Sequence, residues 1–209
     1  MSFNHPYDIV DEFERVVAEY ASAKYGVAVD SCTNALFLSL VLLKLRRGKQ
    51  AIEIPCRTYV GVAHAIINAG HTCWFEDYEW SGAYILFDTD IVDSARRFTK
   101  DMYRTNTLYC LSFHWYKHLP IGRGGMILLD NEDDYRLLRR MRYDGRTERT
   151  TPKNDTFDVP GYHCVLHPDD AARGLMLMQN MLDYNGDLPM DDYADLSKHK
   201  YFTEANSGN

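Results

Sequence analysis

Short apolar strands alternate with helices along most of this chain, and that alternation restricts the possible fold more than any other feature of the sequence. Val27-Ala28-Val29 reads as a strand, the polar turn Asp30-Ser31-Cys32-Thr33-Asn34 supplies helix-capping residues, and Ala35 to Leu45 reads as a buried helix that Gly48 ends. Ala51 to Ile54 is a second strand, and a helix from Tyr59 to Asn68 follows Pro55-Cys56-Arg57-Thr58 and closes at Gly70. Cys73-Trp74-Phe75, Ala83 to Phe87, Ile91-Val92, Leu108 to Phe113 and Gly124 to Leu129 are further strand candidates. Ahead of them, Asp8 caps a helix carrying Phe13, Val16, Val17 and Tyr20, with Gly26 as its stop signal. After them come an arginine-rich amphipathic helix, Glu132 to Arg142, a loop over 144–160, and a helix from Asp169 to Met181 with Pro168 in its first turn. The pattern predicts an α/β fold with a mostly parallel central sheet flanked by helices.

At 209 residues the chain is expected to form one main domain over 1–182, followed by an acidic tail over 183–209 that is mobile or docked. A hydrophobic share of 45% with 25% charged residues is the profile of a soluble globular protein. No apolar run is long enough to span a membrane, and Met1-Ser2-Phe3-Asn4-His5 lacks the features of a secretory signal, so the expected location is the cytoplasm. The five cysteines are widely spaced without a C-x-x-C pair, which predicts free and mostly buried thiols. A net charge of -7 disfavours nucleic acid as a partner.

Three places carry candidate chemistry. The turn before the Ala35–Leu45 helix offers unpaired backbone N–H groups, with Ser31 and Thr33 as hydroxyl donors, and either binds an anion or simply caps the helix. Asp93, at the end of Ile91-Val92, lies where open α/β sheets bind ligands; it holds a protonated nitrogen there or caps the segment from Ser94. Lys117 sits among aromatic and apolar residues in Ser112-Phe113-His114-Trp115-Tyr116-Lys117, where desolvation frees its amine to attack an aldehyde. His114 and His118 flank it without a third ligand, which argues against zinc.

Taken in order, these segments resemble the DegT or StrS group of sugar aminotransferases, enzymes of pyridoxal 5'-phosphate (PLP) fold type I. The resemblance rests on Ser31-Cys32-Thr33, Pro55-x-x-Thr58-Tyr59, Asp93-Ser94-Ala95, Ser112-Phe113-His114-x-x-Lys117 with Gly124-Gly125-Met126, Asp144-Gly145-Arg146, Gly161-Tyr162-His163 and Ala171-Ala172-x-Gly174-Leu175. It implies that PLP is the cofactor, that Thr33 and Ser112, together with Ser31 and Cys32, hold its phosphate, and that Tyr59 stacks on its ring. Asp93 would then face the ring nitrogen, and Lys117 would be the Schiff-base lysine and the general base. It further implies a homodimer in which His163 reaches the partner subunit's cofactor, and transfer of an amino group from an amino acid, by family habit glutamate, to a nucleotide-linked keto sugar.

The sequence departs from the family pattern at several points. Cys32 replaces a glycine of the phosphate turn, Arg96 stands where a glutamine or histidine approaches the cofactor, and His163 replaces an asparagine. The stretch from Phe75 to Asp93 is shorter than the family's, and most of the C-terminal small domain is missing. Three other readings stay open on the sequence: a PLP-dependent sugar dehydratase, which in some relatives has histidine in place of the lysine; a noncatalytic remnant that binds a sugar nucleotide or a partner protein; and a soluble α/β domain with no cofactor, in which every motif is capping, turn and packing.

Overall fold

The computed structural model describes residues 5–207; the N-terminal residues 1–4, on which part of the signal-peptide reading rests, lie outside the described range. Its elements are α1 (Asp8–Ala21), β1 (Tyr25–Val29), α2 (Cys32–Arg47), β2 (Ala51–Pro55), α3 (Val60–Asn68), β3 (Thr72–Glu76), β4 (Tyr84–Ile85), β5 (Ile91–Asp93), β6 (Leu108–Ser112), β7 (Gly125–Leu129), α4 (Glu132–Arg142), α5 (Pro168–Met178) and α6 (Lys200–Ser207). The α/β class expected from the alternation is present. The first helix stops earlier than expected, because Ser22 takes up the left-handed conformation (φ 63°) and leaves Gly26 inside β1.

The sheet corrects the expectation of mostly parallel pairing. Its five main strands run in the order β1-β7-β6-β5-β4, and of their four pairings only β5 with β6 is parallel; β1 with β7, β6 with β7, and β4 with β5 are antiparallel. A separate two-stranded parallel ladder joins β2 to β3. Two local causes produce the mixed pattern. β7 inserts against the direction of both its neighbours, so β1, β5 and β6 still point the same way although most ladders are antiparallel. Between Ile85 and Ile91 the chain makes a tight turn, with Leu86 N–H donating to the Ile91 carbonyl at 2.9 Å. That connection is far too short for a parallel crossover, which takes a dozen or more residues, so β4 must run antiparallel to β5. The bridge Glu53↔Phe87 then links this turn to β2 and carries the sheet on toward β3.

Helices cover both faces, and the strands alternate accordingly. Val27, Val29, Leu108, Cys110, Ile127 and Leu129 face the core shared with α2, α3 and α4. Ala28, Tyr109, Leu111, Met126 and Leu128 face the opposite core, against Phe13 and Val17 of α1 and Ala171 of α5. With apolar residues needed on both faces, the strands read as continuous apolar runs. The chain after Met178 also docks: Leu196 and Phe202 are buried in the α2 and α3 core, and Phe202 packs edge-on to Phe75. No helix of the described residues is long and apolar enough to cross a membrane.

One ion network ties α1, β1 and α4 together beneath this core. Arg142 is 2% exposed and Glu14 3% exposed; the guanidinium of Arg142 pairs with the Glu14 carboxylate, and it also donates to the Ala28 carbonyl at 2.6 Å and to Glu148 at 2.9 Å. Glu14 accepts the Ala28 N–H at 2.8 Å, so both polar groups of that residue are satisfied by the pair. Burial pushes the Glu14 carboxyl up, and Arg142 and Arg139 oppose that shift. Removing one member strands a charge out of water. Arg142→Leu is therefore expected to cost about 3 kcal/mol in urea unfolding, whereas Glu14→Leu combined with Arg142→Leu recovers part of the loss, the remainder being the Ala28 N–H and carbonyl left without partners. Equal losses in the single and double variants would contradict this reading.

Candidate active site

β1, β5 and β6 point the same way, so their C-terminal ends gather at one edge of the sheet, where open α/β sheets place ligands. A cavity of about 760 Å³ opens there. Its floor is the β1–α2 turn. Ser31 is the N-cap of α2 and its Oγ accepts the Asn34 N–H at 3.1 Å, so the capping reading of Ser31 is realised. Thr33 lines the cavity at the first turn of the helix, with the positive end of the helix dipole behind it.

Two glycines make this turn possible. A Cβ on Gly125 would lie 2.6 Å from the Cys32 nitrogen and 2.6 Å from the Ser31 carbonyl carbon, so the turn can rest on β7 because no side chain intervenes. A Cβ on Gly61 would lie 2.6 Å from the Tyr59 ring and 3.0 Å from Thr33 Oγ1; its absence lets α3 start against the turn. The side chain that Cys32 adds to this tight place turns down toward the sheet, with Sγ 3.6 Å from the Cys110 carbonyl, and burial pushes its thiol well up, so it stays a neutral thiol.

Asp93 closes β5 and is 4% exposed. Its Oδ1 accepts the Ala95 N–H at 3.0 Å, which is the local capping geometry, and its carboxylate also faces the cavity. The Tyr84 hydroxyl bonds it from β4 while sharing a 2.8 Å bond with Thr58 Oγ1. Burial pushes the Asp93 carboxyl up; the hydrogen bonds from Ala95 and Tyr84, and the charges of Lys117 and Arg96, pull the other way. The site thus holds a buried carboxylate beside its cavity.

Lys117 sits in the turn that follows β6, where its N–H donates to the His114 carbonyl at 2.8 Å. The loop is closed at its neck by Phe113 N–H to the Gly124 carbonyl at 2.9 Å and Gly122 N–H to the Phe113 carbonyl at 3.1 Å, and Leu119 and Ile121 anchor it in the core. Half-buried Lys117 has its ammonium disfavoured by desolvation first and by the nearby Arg96 guanidinium second, which lowers its pKa; Cys32, Asp93 and Asp191 oppose that shift. Ser112 and Tyr59 line the same cavity, Tyr59 with 56% exposure at the start of α3.

The structure therefore brings Ser31, Cys32, Thr33, Tyr59, Asp93, Arg96, Ser112 and Lys117 around one cavity. His163 lies apart from that lining, exposed on the surface, with Nδ1 2.9 Å from Asp144 Oδ2, and this carboxylate raises its pKa. Sequence reasoning missed Tyr84, Thr58 as a partner of Asp93's neighbour, and the wall formed by Leu188, Pro189, Asp191 and Tyr193. Thr58 stood inside a recognised motif, whereas nothing in the acidic C-terminal segment marked Asp191 or Tyr193 as site residues.

A family model described as the DegT/DnrJ/EryC1/StrS aminotransferase family matches residues 2–95 and 96–185. The spore coat polysaccharide biosynthesis protein SpsC of Bacillus subtilis (strain 168) is 40% identical over 223 aligned positions, covering 83% of this chain and 57% of SpsC. The UDP-4-amino-4,6-dideoxy-N-acetyl-beta-L-altrosamine transaminase of Campylobacter jejuni is 22% identical, over 84% of this chain and 57% of its own length. Among solved structures, the sugar aminotransferase CalS13 from Micromonospora echinospora superposes with a TM-score of 0.70 at 18% identity, covering 83% of this chain and 60% of that one. The chain thus spans just under three fifths of the length of these relatives. The SpsC alignment, at 223 positions, is longer than the whole 209-residue chain, so SpsC carries residues inside the matched region that have no counterpart here.

The depressed pKa of Lys117 has a direct readout. Its free amine persists to lower pH, so the pH midpoint of its acylation, followed peptide by peptide by mass spectrometry, is expected below the ordinary lysine value of about 10.4. A midpoint at or above that value would show the amine to be solvated or tightly paired.

Proposed function

Since the chain belongs to the DegT/DnrJ/EryC1/StrS aminotransferase family, we propose that it binds PLP in the cavity at the ends of β1, β5 and β6 and transfers an amino group from an amino acid, by preference glutamate, to a nucleotide-linked keto sugar. The observation that carries this reading is the convergence of a helix N-terminus, a buried carboxylate and a half-buried lysine on one cavity.

The residues present suit the group. The N-terminus of α2, with Thr33 and the Ser112 hydroxyl beside it, offers N–H and O–H donors to a phosphate. Asp93 is a buried carboxylate held mostly by neutral donors, and a protonated ring nitrogen is the kind of cationic partner that offsets its burial. Lys117 presents an amine that desolvation keeps available as a nucleophile and base. Tyr59 lines the cavity at the start of α3, where an aromatic face limits a flat ring to one plane.

When bound, PLP supplies an aldehyde that takes up the amine and a ring that delocalises the electron pair left by loss of a proton from carbon. The protein residues do the rest. Lys117 Nζ would hold the cofactor, and as a free amine it would serve as the base that moves a proton, work that needs a pKa below that of a free lysine. Asp93 would face a protonated ring nitrogen and keep it so, with the Tyr84 and Ala95 donors fixing the carboxylate in place. Backbone N–H groups of α2 orient the phosphate without themselves moving. A homodimer is part of the proposal, with exposed His163 and its Asp144 partner turned to the second subunit's site.

Purified protein incubated with PLP is expected to show a visible absorption band beyond that of free PLP, which Lys117→Ala removes and which glutamate converts to the near-ultraviolet band of the amine form of the cofactor. Asp93→Asn is expected to retain cofactor but slow that conversion about 100-fold or more. No band with wild-type protein would favour the noncatalytic reading, and a band that glutamate leaves unchanged would contradict glutamate as the donor.

A further inference from the structure

Arg96 follows directly on the Asp93-Ser94-Ala95 segment, lines the cavity and is 5% exposed. Its side-chain partners come from one short segment. The guanidinium pairs with the carboxylate of Asp191, donates to the Pro189 carbonyl, and reaches the Tyr193 hydroxyl through Nε at 3.2 Å, with the Tyr193 ring 5.6 Å away. That segment has neither helix nor strand, and the Asp191 side chain is 65% exposed. A cation buried beside a ligand cavity is thus neutralised by a carboxylate that backs onto solvent. Such an arrangement holds the charge in place while leaving its partner replaceable, because the departing carboxylate is rehydrated at once.

The segment is also tethered on either side of Asp191. Asp187 forms a two-pronged pair with Arg97 at 2.7 Å and accepts from Ser81 at 3.0 Å; Leu188 N–H donates to the Arg96 carbonyl at 3.0 Å, and Leu196 N–H donates to the Cys56 carbonyl at 2.9 Å. Asp191 can therefore leave the guanidinium without undocking the chain on either side. Lys117 lies near enough for the charges of Arg96 and Asp191 to act on its amine.

An amino donor brings a carboxylate on or near the carbon that carries its amine, and that amine must come to the place of the Lys117 Nζ. Resting on the aminotransferase reading, we propose that Arg96 receives the carboxylate of the amino donor and that Asp191 occupies Arg96 in the meantime as an internal stand-in, which the donor displaces. Residues 187–193 are then a tethered strap whose carboxylate competes with the substrate's. The competition makes affinity for external carboxylates weaker in the wild type than the Arg96 pocket alone would give.

The test uses glutarate, which has the carboxylates of a donor and no amine, titrated calorimetrically into the full chain with and without PLP. Asp191→Asn is expected to tighten glutarate binding about tenfold, and Arg96→Leu to weaken it at least about tenfold. Asp191 is exposed, so its variant stays informative even if Arg96→Leu disturbs folding. Unchanged or weaker glutarate binding in Asp191→Asn, or no binding in either that variant or the wild type, overturns the assignment of Arg96. Because glutarate is not turned over, this result is separate from the spectral response to PLP and glutamate: a protein that responds to both while Asp191→Asn leaves glutarate affinity unchanged loses this assignment and keeps the aminotransferase reading.

Discussion

The backbone of Ser31 and Cys32 rests directly on Gly125, and the geometry of the candidate site depends on that contact. It fixes the N-terminus of α2 at the start of β7, an antiparallel strand that begins at the edge where β1, β5 and β6 end. Three groups of different character then meet at one cavity: N–H donors after β1, the carboxylate of Asp93 at the end of β5, and the amine of Lys117 after β6. The antiparallel strand that breaks the expected parallel pattern is thus also the support on which the anion-binding turn sits. A side chain at position 125 would push the helix start away from both the carboxylate and the lysine.

A second constraint is length. With a tight turn between β4 and β5 the chain spans the gap between β2 and β5 by a short antiparallel strand and the Glu53↔Phe87 bridge. The segment after α5 does comparable work on the other side of the cavity, where Pro189, Asp191 and Tyr193 form a wall through their hold on Arg96. Trp80 lines the same region, stacked on Tyr193 at 6.4 Å, and its indole N–H reaches the Arg57 carbonyl at 3.0 Å. The C-terminal segment, with Leu196 and Phe202 in the main core, is part of the fold that shapes the site.

Much of this was legible in the sequence, for identifiable reasons. α2 is buried along nearly its whole length, so its apolar run announced it, and α4 was readable to both ends because its apolar residues recur at helical spacing among arginines. Ser31 and Asp93 were readable because each lies at or just beyond a strand end, where a polar residue interrupts an apolar run, and Lys117 because a lone cation stands among aromatic and apolar neighbours in the loop after β6. Strand direction was not readable, since an apolar strand buried on both faces looks the same in either orientation and its sense is set by connection length and by neighbours distant in sequence. Asp191 and Tyr193 were hidden for a similar reason: an acidic segment without periodicity gives no sign that a buried arginine, 97 residues before Tyr193, waits for it.

The central claim is that the amine of Lys117 is the group that engages the aldehyde of PLP in this cavity. Borohydride reduction of the PLP-treated protein, followed by proteolysis and mass spectrometry of the peptides, tests it most directly. The account predicts one stoichiometric adduct with the mass of a reduced pyridoxyl phosphate, on Lys117. A label scattered over surface lysines, or no label at Lys117 under saturating PLP, would contradict it.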